Sequence, residues 1–208
     1  MVEIHRSPYF HLESAALADG SWPQGDLDSF EKTMKTWTNQ PGYPLLNVVV
    51  KEQELLINQT WYMHEEKPQL WDIPINYEIV GQEGDRPDWE DKRPNFWLST
   101  TGITVALDKP MPANDCIIIN RQVSGYYRVN YDVANWMKIG NVLSTDHQII
   151  HPFNRAQIIC DVLHLGSSGH ITEDTKQLVL SYVDKEDDPT PLSAYHKCQK
   201  WANNEDSI

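Results

Sequence analysis

Apolar positions change their period twice along the chain. From Ser14 to Thr36 they fall at mixed helical spacing, broken by Asp19-Gly20 and Trp22-Pro23, which predicts two short helices around a turn. From Leu45 onward the pattern becomes short β-rich runs: Leu45 to Lys51, Glu54 to Tyr62, Ile73 to Val80, Phe96 to Ser99, Ile103 to Leu107, Cys116 to Asn120 and Tyr126 to Tyr131. Clusters of Pro, Gly and Asp separate them at the spacing of an antiparallel sandwich. In the last run Tyr127, Val129 and Tyr131 share one face, and Tyr126, Arg128 and Asn130 the other.

After Asp132 the period returns to that of a helix, with Trp136, Ile139, Val142 and Leu143 on one stripe and Asp132 as its N-cap. A second helix is expected from Asn154 through Leu165, stopped by Gly166 to Gly169. A third starts at Thr172 as N-cap and runs to about Lys185, and a fourth starts at Pro189 to Pro191 and reaches Trp201. The fold class is therefore α+β by segments: an antiparallel β-sandwich flanked by a short N-terminal helical remnant and a truncated C-terminal α-helical array. The expected domains are 1–42, 43–131 and 132–208.

Composition narrows the function. Of 208 residues 40% are hydrophobic and 23% charged, which excludes collagen-like, coiled-coil and membrane-spanning classes. Thirty acidic against 17 basic residues give a net charge of −13, so no nucleic-acid partner held by bulk charge is expected. The most apolar stretch, Leu45 to Val50, is interrupted by Asn47 and reads as a buried strand, so no membrane span is expected. Met1 to Gly20 holds no apolar core of a secretion signal. Cys116, Cys160 and Cys198 are an odd number at wide spacing, which suggests buried free thiols. Asn58-Gln59-Thr60 is a sequon, making Asn58 a candidate glycan acceptor in a secretory context. The acidic runs Glu83 to Asp91 and Asp184 to Asp188 read as solvated loops or a helix end.

The search for catalytic chemistry fails at each step. His64-Glu65-Glu66-Lys67-Pro68 begins like a zinc-binding HExxH helix, but its fifth position is proline and it follows a strand. His5 and His11, like His164 and His170, lie six apart, which does not set two imidazoles on one helical turn. The chain carries no GxSxG elbow and no GxGxxG or GxxxxGK[ST] phosphate loop. Asp187 and Asp188 sit in a charge run beside prolines. Of the eight tryptophans, Trp37, Trp71, Trp97 and Trp136 fall next to apolar patterns and read as core anchors. No residue receives a catalytic, cofactor-binding or metal role.

Several ordered blocks nevertheless resemble one family. Met34 to Val48, with Trp37 and Gly42-Tyr43-Pro44, resembles the signature that closes the catalytic domain of M1-family zinc aminopeptidases, the aminopeptidase N group. Trp71-Asp72-Ile73-Pro74-Ile75 is similar to that family's Trp-x-Ile-Pro strand. Asn120, Gly125 to Asp132, Trp136 and Ile139 resemble its GYYRVNYD block, and Arg155-Ala156-Gln157-Ile158-Ile159 the start of a helix in its C-terminal helical domain. Asp19-Gly20-Ser21-Trp22-Pro23 looks most like invertebrate gut members. The likeness covers Leu12 to Ala194. Cys160-Asp161 departs from the family's usual acidic pair, and Leu192 from its usual tryptophan.

The resemblance implies a parent enzyme that removes N-terminal amino acids from peptides, with zinc held by the two histidines of HExxH and a downstream glutamate. The family's GxMEN loop and a tyrosine complete its site, and all of these lie upstream of the matched region. It also implies that this chain is a non-catalytic segment without its own cofactor, inactive alone. Its partners would be peptides through the parent enzyme and the missing catalytic and helical portions. The family leans to a plasma-membrane or extracellular location, with the cytoplasm as the alternative. A protein-interaction module or degenerate paralogue without peptidase chemistry is the rival reading.

Overall fold

Strand β1 (Pro44–Val50) begins where Gly42 turns the chain. Gly42 has φ +82, and the Trp61 indole lies where a side chain at this position would project, so only glycine serves here. The computed structural model describes residues 9–20, 22, 30–62, 69–81 and 86–203. His5, Ser21, Pro23, His64 to Pro68 and Glu83 to Asp85 lie outside the described residues.

β1 pairs antiparallel with β2 (Glu54–Trp61), which pairs antiparallel with β6 (Gly102–Ala106). On its other side β1 takes β8 (Arg128–Tyr131), giving a sheet in the order β6-β2-β1-β8. β8 runs parallel to β1, with Leu46 opposite Val129, which corrects the all-antiparallel expectation. The long stretch of chain between the two strands provides the crossover that parallel pairing requires. Two short antiparallel ladders complete the β structure: β3 (Ile73–Ile75) with β5 (Phe96–Leu98), and β4 (Tyr77–Val80) with β7 (Cys116–Ile119).

The run from Ile73 to Val80 is thus two strands, split at Asn76. This residue is buried, and its side chain accepts from the Arg121 N–H at 2.7 Å and donates to the Lys92 carbonyl and the Ser124 hydroxyl. This side chain ties the strand to the Lys92 loop and to the turn at Arg121 and Ser124, where the run breaks. β8 likewise starts at Arg128 rather than Tyr126, and the alternation holds: Tyr127, Val129 and Tyr131 are buried while Tyr126 is 70% exposed.

Among the described residues there are six α-helices: α1 (Phe10–Asp19), α2 (Phe30–Thr38), α3 (Val133–Asp146), α4 (Pro152–Ser167), α5 (Glu173–Leu180) and α6 (Pro189–Ala202). α2 is held by Thr33, whose hydroxyl donates to Asp72 at 2.7 Å, and by the Trp37 indole N–H, which donates to the Asp72 carbonyl. Asp132 caps α3 as expected, accepting from the Asn135 N–H at 3.0 Å. Thr172 caps α5, which ends at Leu180, short of Lys185; a separate 3₁₀ turn covers Val183–Lys185.

One hydrophobic cluster joins β1 to β5, β7 and β8 with α3, α4 and α5. Trp71 and Trp136 are fully buried in it, whereas Trp37 and Trp97 are half-buried. The free edge of β7 packs against α3, where backbone groups must find partners. Asn135 supplies both bonds to Ile117, and the Tyr131 hydroxyl accepts from the Ile119 N–H at 2.9 Å.

Two expectations are corrected by three-dimensional contacts. Cys160 and Cys198 form a disulfide that joins α4 to α6, so only Cys116 is a buried free thiol. The helix-bounded segment of 38 residues brings two widely spaced cysteines together. Glu186 is buried rather than solvated, because Arg155 reaches it from α4 with Nε at 2.7 Å and Nη2 at 2.9 Å from its carboxylate oxygens.

Candidate functional site at the seam of β8 and α4

The two most distinctive sequence blocks meet in space. Arg128 on β8 pairs with Asp161 on α4 at 2.9 Å, and the second Asp161 oxygen accepts from the Val129 N–H at 3.1 Å. Burial pushes the Asp161 carboxyl up to about 6 against the opposing pull of Arg128 and that N–H. The guanidinium also donates to the Tyr43 hydroxyl at 3.3 Å and lies over the rings of Tyr43 and Tyr62, 5.8 and 5.2 Å from their centroids. Gln157, one turn before Asp161, donates to the Tyr127 carbonyl at 3.1 Å.

Above this seam the chain makes a tight turn through Asn120, Gln122 and Val123, with φ of 75, 51 and 56. A β-branched residue at positive φ is strained and persists only where its surroundings fix it. Asn154 fixes it from α4: its carbonyl oxygen accepts from the Gln122 N–H and its amide donates to the Asn120 carbonyl, both at 2.8 Å. Asn120 bonds back to Gly125 through both ends of its side-chain amide. Below the turn lies a cavity of about 440 Å³ lined by Tyr43, Val123, Tyr126, Phe153, Gln157 and Ala194 among others. Its rim is apolar and open, with Phe153 46% and Val123 42% exposed.

The chemistry of this seam is that of a joint. Burial raises the Tyr127 hydroxyl far above its ordinary range, and that hydroxyl donates to the Pro74 carbonyl at 3.2 Å. Burial likewise pushes the Cys116 thiol up to about 12, which removes it as a nucleophile at neutral pH. Arg121 pairs with Glu78 at 2.6 Å. Among the described residues, the charged pair Arg128–Asp161 and the Tyr127 hydroxyl at the seam are committed to each other or to backbone.

Zinc, the metal of the resembling family, does not fit here. Among the described residues His147, Glu186 and Asp187 bring ligand atoms within 4.8 Å of one another. Both Glu186 oxygens already accept from Arg155, and one also takes the backbone N–H groups of Asp187 and Asp188. A cation there would face the guanidinium. The other described histidines stand apart: His164 is buried against the Trp201 ring at 3.7 Å, His170 bonds Ser168 at 2.8 Å, His151 accepts from the Phe153 N–H at 3.2 Å, and His11 and His196 are exposed. The HExxH-like start at His64 and the partner histidine His5 lie outside the described residues. Asn58 points outward from the centre of the four-stranded sheet and is exposed.

Residues 116–204, which contain this seam, match the sequence model of the ERAP1-like C-terminal domain. Over 191 residues, 88% of the chain, it is 33% identical to the Manduca sexta protein called membrane alanyl aminopeptidase, of which it covers 19%. The chain belongs to the M1 aminopeptidase family. The Heliothis virescens membrane alanyl aminopeptidase is 32% identical to this M1 chain over 93% of its length, again 19% of the relative. Aminopeptidase N of Rattus norvegicus is 33% identical over 69% of the chain and 14% of the relative. The M1 chain thus spans about a fifth or less of the length of these relatives. Among the described residues no helix is long and apolar enough to cross a membrane.

Four residues of the seam carry weight that sequence reading did not assign them. Asn154 pins the strained turn, Asp161 neutralises Arg128, Glu186 neutralises Arg155, and Asn76 ties Lys92 to the turn at Arg121 and Ser124. Only Asp161 left a signal, as the acidic residue beside the cysteine that departs from the family pattern.

Proposed function

We propose that this chain is a non-catalytic joint of an M1 aminopeptidase and has no peptidase activity alone. The carrying observation is the seam itself, in which Arg128 of the GYYRVNYD block is spent on Asp161, Arg155 of the Arg-Ala-Gln block on Glu186, and Gln157 bonds the Tyr127 carbonyl between the two blocks. On this reading residues 43–131 form a β-sandwich that links a catalytic portion, to which residues 1–42 belong, with a helical domain beginning at residue 132. Peptides are then the substrates of the whole enzyme, and the catalytic and remaining helical portions are the partners of this chain. The sequence supports this, since HExxH and GxMEN are both missing from its 208 residues.

The reading places the enzyme at the plasma membrane or outside the cell. The Cys160–Cys198 disulfide supports that, because such bonds persist in oxidising compartments. The exposed side chain of Asn58 makes its sequon usable there.

The test is to equilibrate the purified chain with zinc, measure bound metal, and assay hydrolysis of aminoacyl-nitroanilides. Neither stoichiometric zinc nor turnover is expected; the two together would overturn the proposal. Expression through a secretory pathway should also yield a chain that loses mass on removal of N-glycans, and Asn58→Gln should abolish that loss.

A further inference from the structure

α6 is attached differently at its two ends. Its start is fixed by Asp188, which accepts from the Thr190 N–H at 2.8 Å, and by the adjacent Glu186–Arg155 pair. Pro191 is its only buried residue, and the rest of the helix is half-buried or exposed. Its far end rests on α4 through the Cys160–Cys198 bond, the Trp201 ring over His164, and a bond of 3.4 Å from the Ser167 hydroxyl to the Ala202 carbonyl. α6 lies alongside α4, and Tyr195, Cys198 and Ala202 touch the core only as half-buried side chains, so no fully buried apolar anchor backs the cross-link at this end. Both cysteines are half-buried and Cys160 lines the seam cavity, in contrast to Cys116, which is buried. Cys160 and Ala194 also line the 440 Å³ cavity, so the position of α6 sets one wall of it.

We propose that Cys160–Cys198 is a thiol-exchange site whose reduction releases the C-terminal half of α6 from α4 and uncovers His164. A dithiol supplies the two electrons. Its first thiolate attacks one cysteine sulfur, breaks the S–S bond and forms a mixed disulfide while the other cysteine leaves as thiolate. Its second thiolate then resolves the mixed disulfide, so the dithiol ends as a cyclic disulfide and both cysteines as thiols. The proposal is independent of the peptidase reading.

Hydrogen exchange of the full chain with and without dithiothreitol, followed by mass spectrometry, tests it, with free thiols titrated in parallel. Thiols counted after denaturation should rise from one to three, and amide exchange in residues 195–202 should speed up by several hundredfold, the order expected when a cross-link of this separation is lost. Exchange in residues 116–165 should stay unchanged. His164 offers a second readout: burial, with Arg128 facing it, holds its ring down to about 3, and release from Trp201 should move its titration upward toward 6.5. The Cys160→Ser, Cys198→Ser double variant should reproduce the reduced pattern without reductant. Refusal of the bond to react in the native chain would overturn the proposal. So would three free thiols with unchanged exchange, or a loss of protection that spreads through residues 116–165.

Discussion

The seam between β8 and α4 and the outer helix α6 are built from similar sequence material but held by different physics. At the seam, charged and amide side chains are buried and paired within a continuous apolar cluster. On α6 most polar side chains face water, and the helix lies against α4 through its cap, half-buried Tyr195 and Ala202, the Trp201–His164 ring contact, the Ser167–Ala202 bond and the disulfide. The difference teaches where stability and mobility reside. A buried pair is costly to break because the partner left behind has lost its water, whereas an exposed helix end can leave its neighbour at little expense.

The sharpest way to break the contrast is at Arg155. Replacing it with Met leaves the Glu186 carboxylate buried without its two bonds, and such changes cost about 3–5 kcal/mol. Urea unfolding of Arg155→Met should show that loss, and Arg155→Met combined with Glu186→Leu should recover most of it. No recovery in the double variant would mean that the Arg155 bonds to the Ile150 and His147 carbonyls matter more than the ion pair.

Acidification probes the boundary between the two regions. His164 sits on α4 under Trp201 and faces Arg128, and burial holds its folded value at about 3 against an ordinary 6.5. The unfolded chain therefore binds the proton first as pH falls. The stability contributed by the neutral ring is complete above 6.5 and is lost progressively from there toward 3. His164→Leu should lose stability less steeply than the parent over this window, as read from urea midpoints at stepped pH. Identical slopes would show that the ring is solvated in solution and α6 already loose.

The helices and most strands were legible because their periods follow directly from burial on one face. The Tyr127, Val129 and Tyr131 alternation and the Asp132 and Thr172 caps are local signals, and the structure carries them unchanged. What sequence could not show depends on neighbours distant along the chain. The parallel register of β8 on β1, the break at Asn76 and the disulfide between Cys160 and Cys198 each need contacts across many residues. Glu186 was misread for the same reason: within a run of acids it has the look of a solvated loop until Arg155 arrives from another helix. The charged partners of the seam were equally hidden, since Arg128 and Asp161 carry no spacing that marks them as a pair.

The smallest and most direct comparison uses the same cap chemistry in both regions. Asp132 caps α3 through Asn135, and its second oxygen also accepts from the Val50 N–H at 2.7 Å, tying the helix to the end of β1. Asp188 caps α6 through Thr190 alone. A cap is worth about 1 kcal/mol, and a further bond to a charged acceptor about 1.5–3 kcal/mol. Asp132→Ala should therefore cost about 2.5–4 kcal/mol in global unfolding, and Asp188→Ala about 1 kcal/mol or less, confined to exchange within α6. Equal global losses from the two variants would mean that α6 unfolds together with the seam, and that its cap reports on the whole domain rather than on its own end.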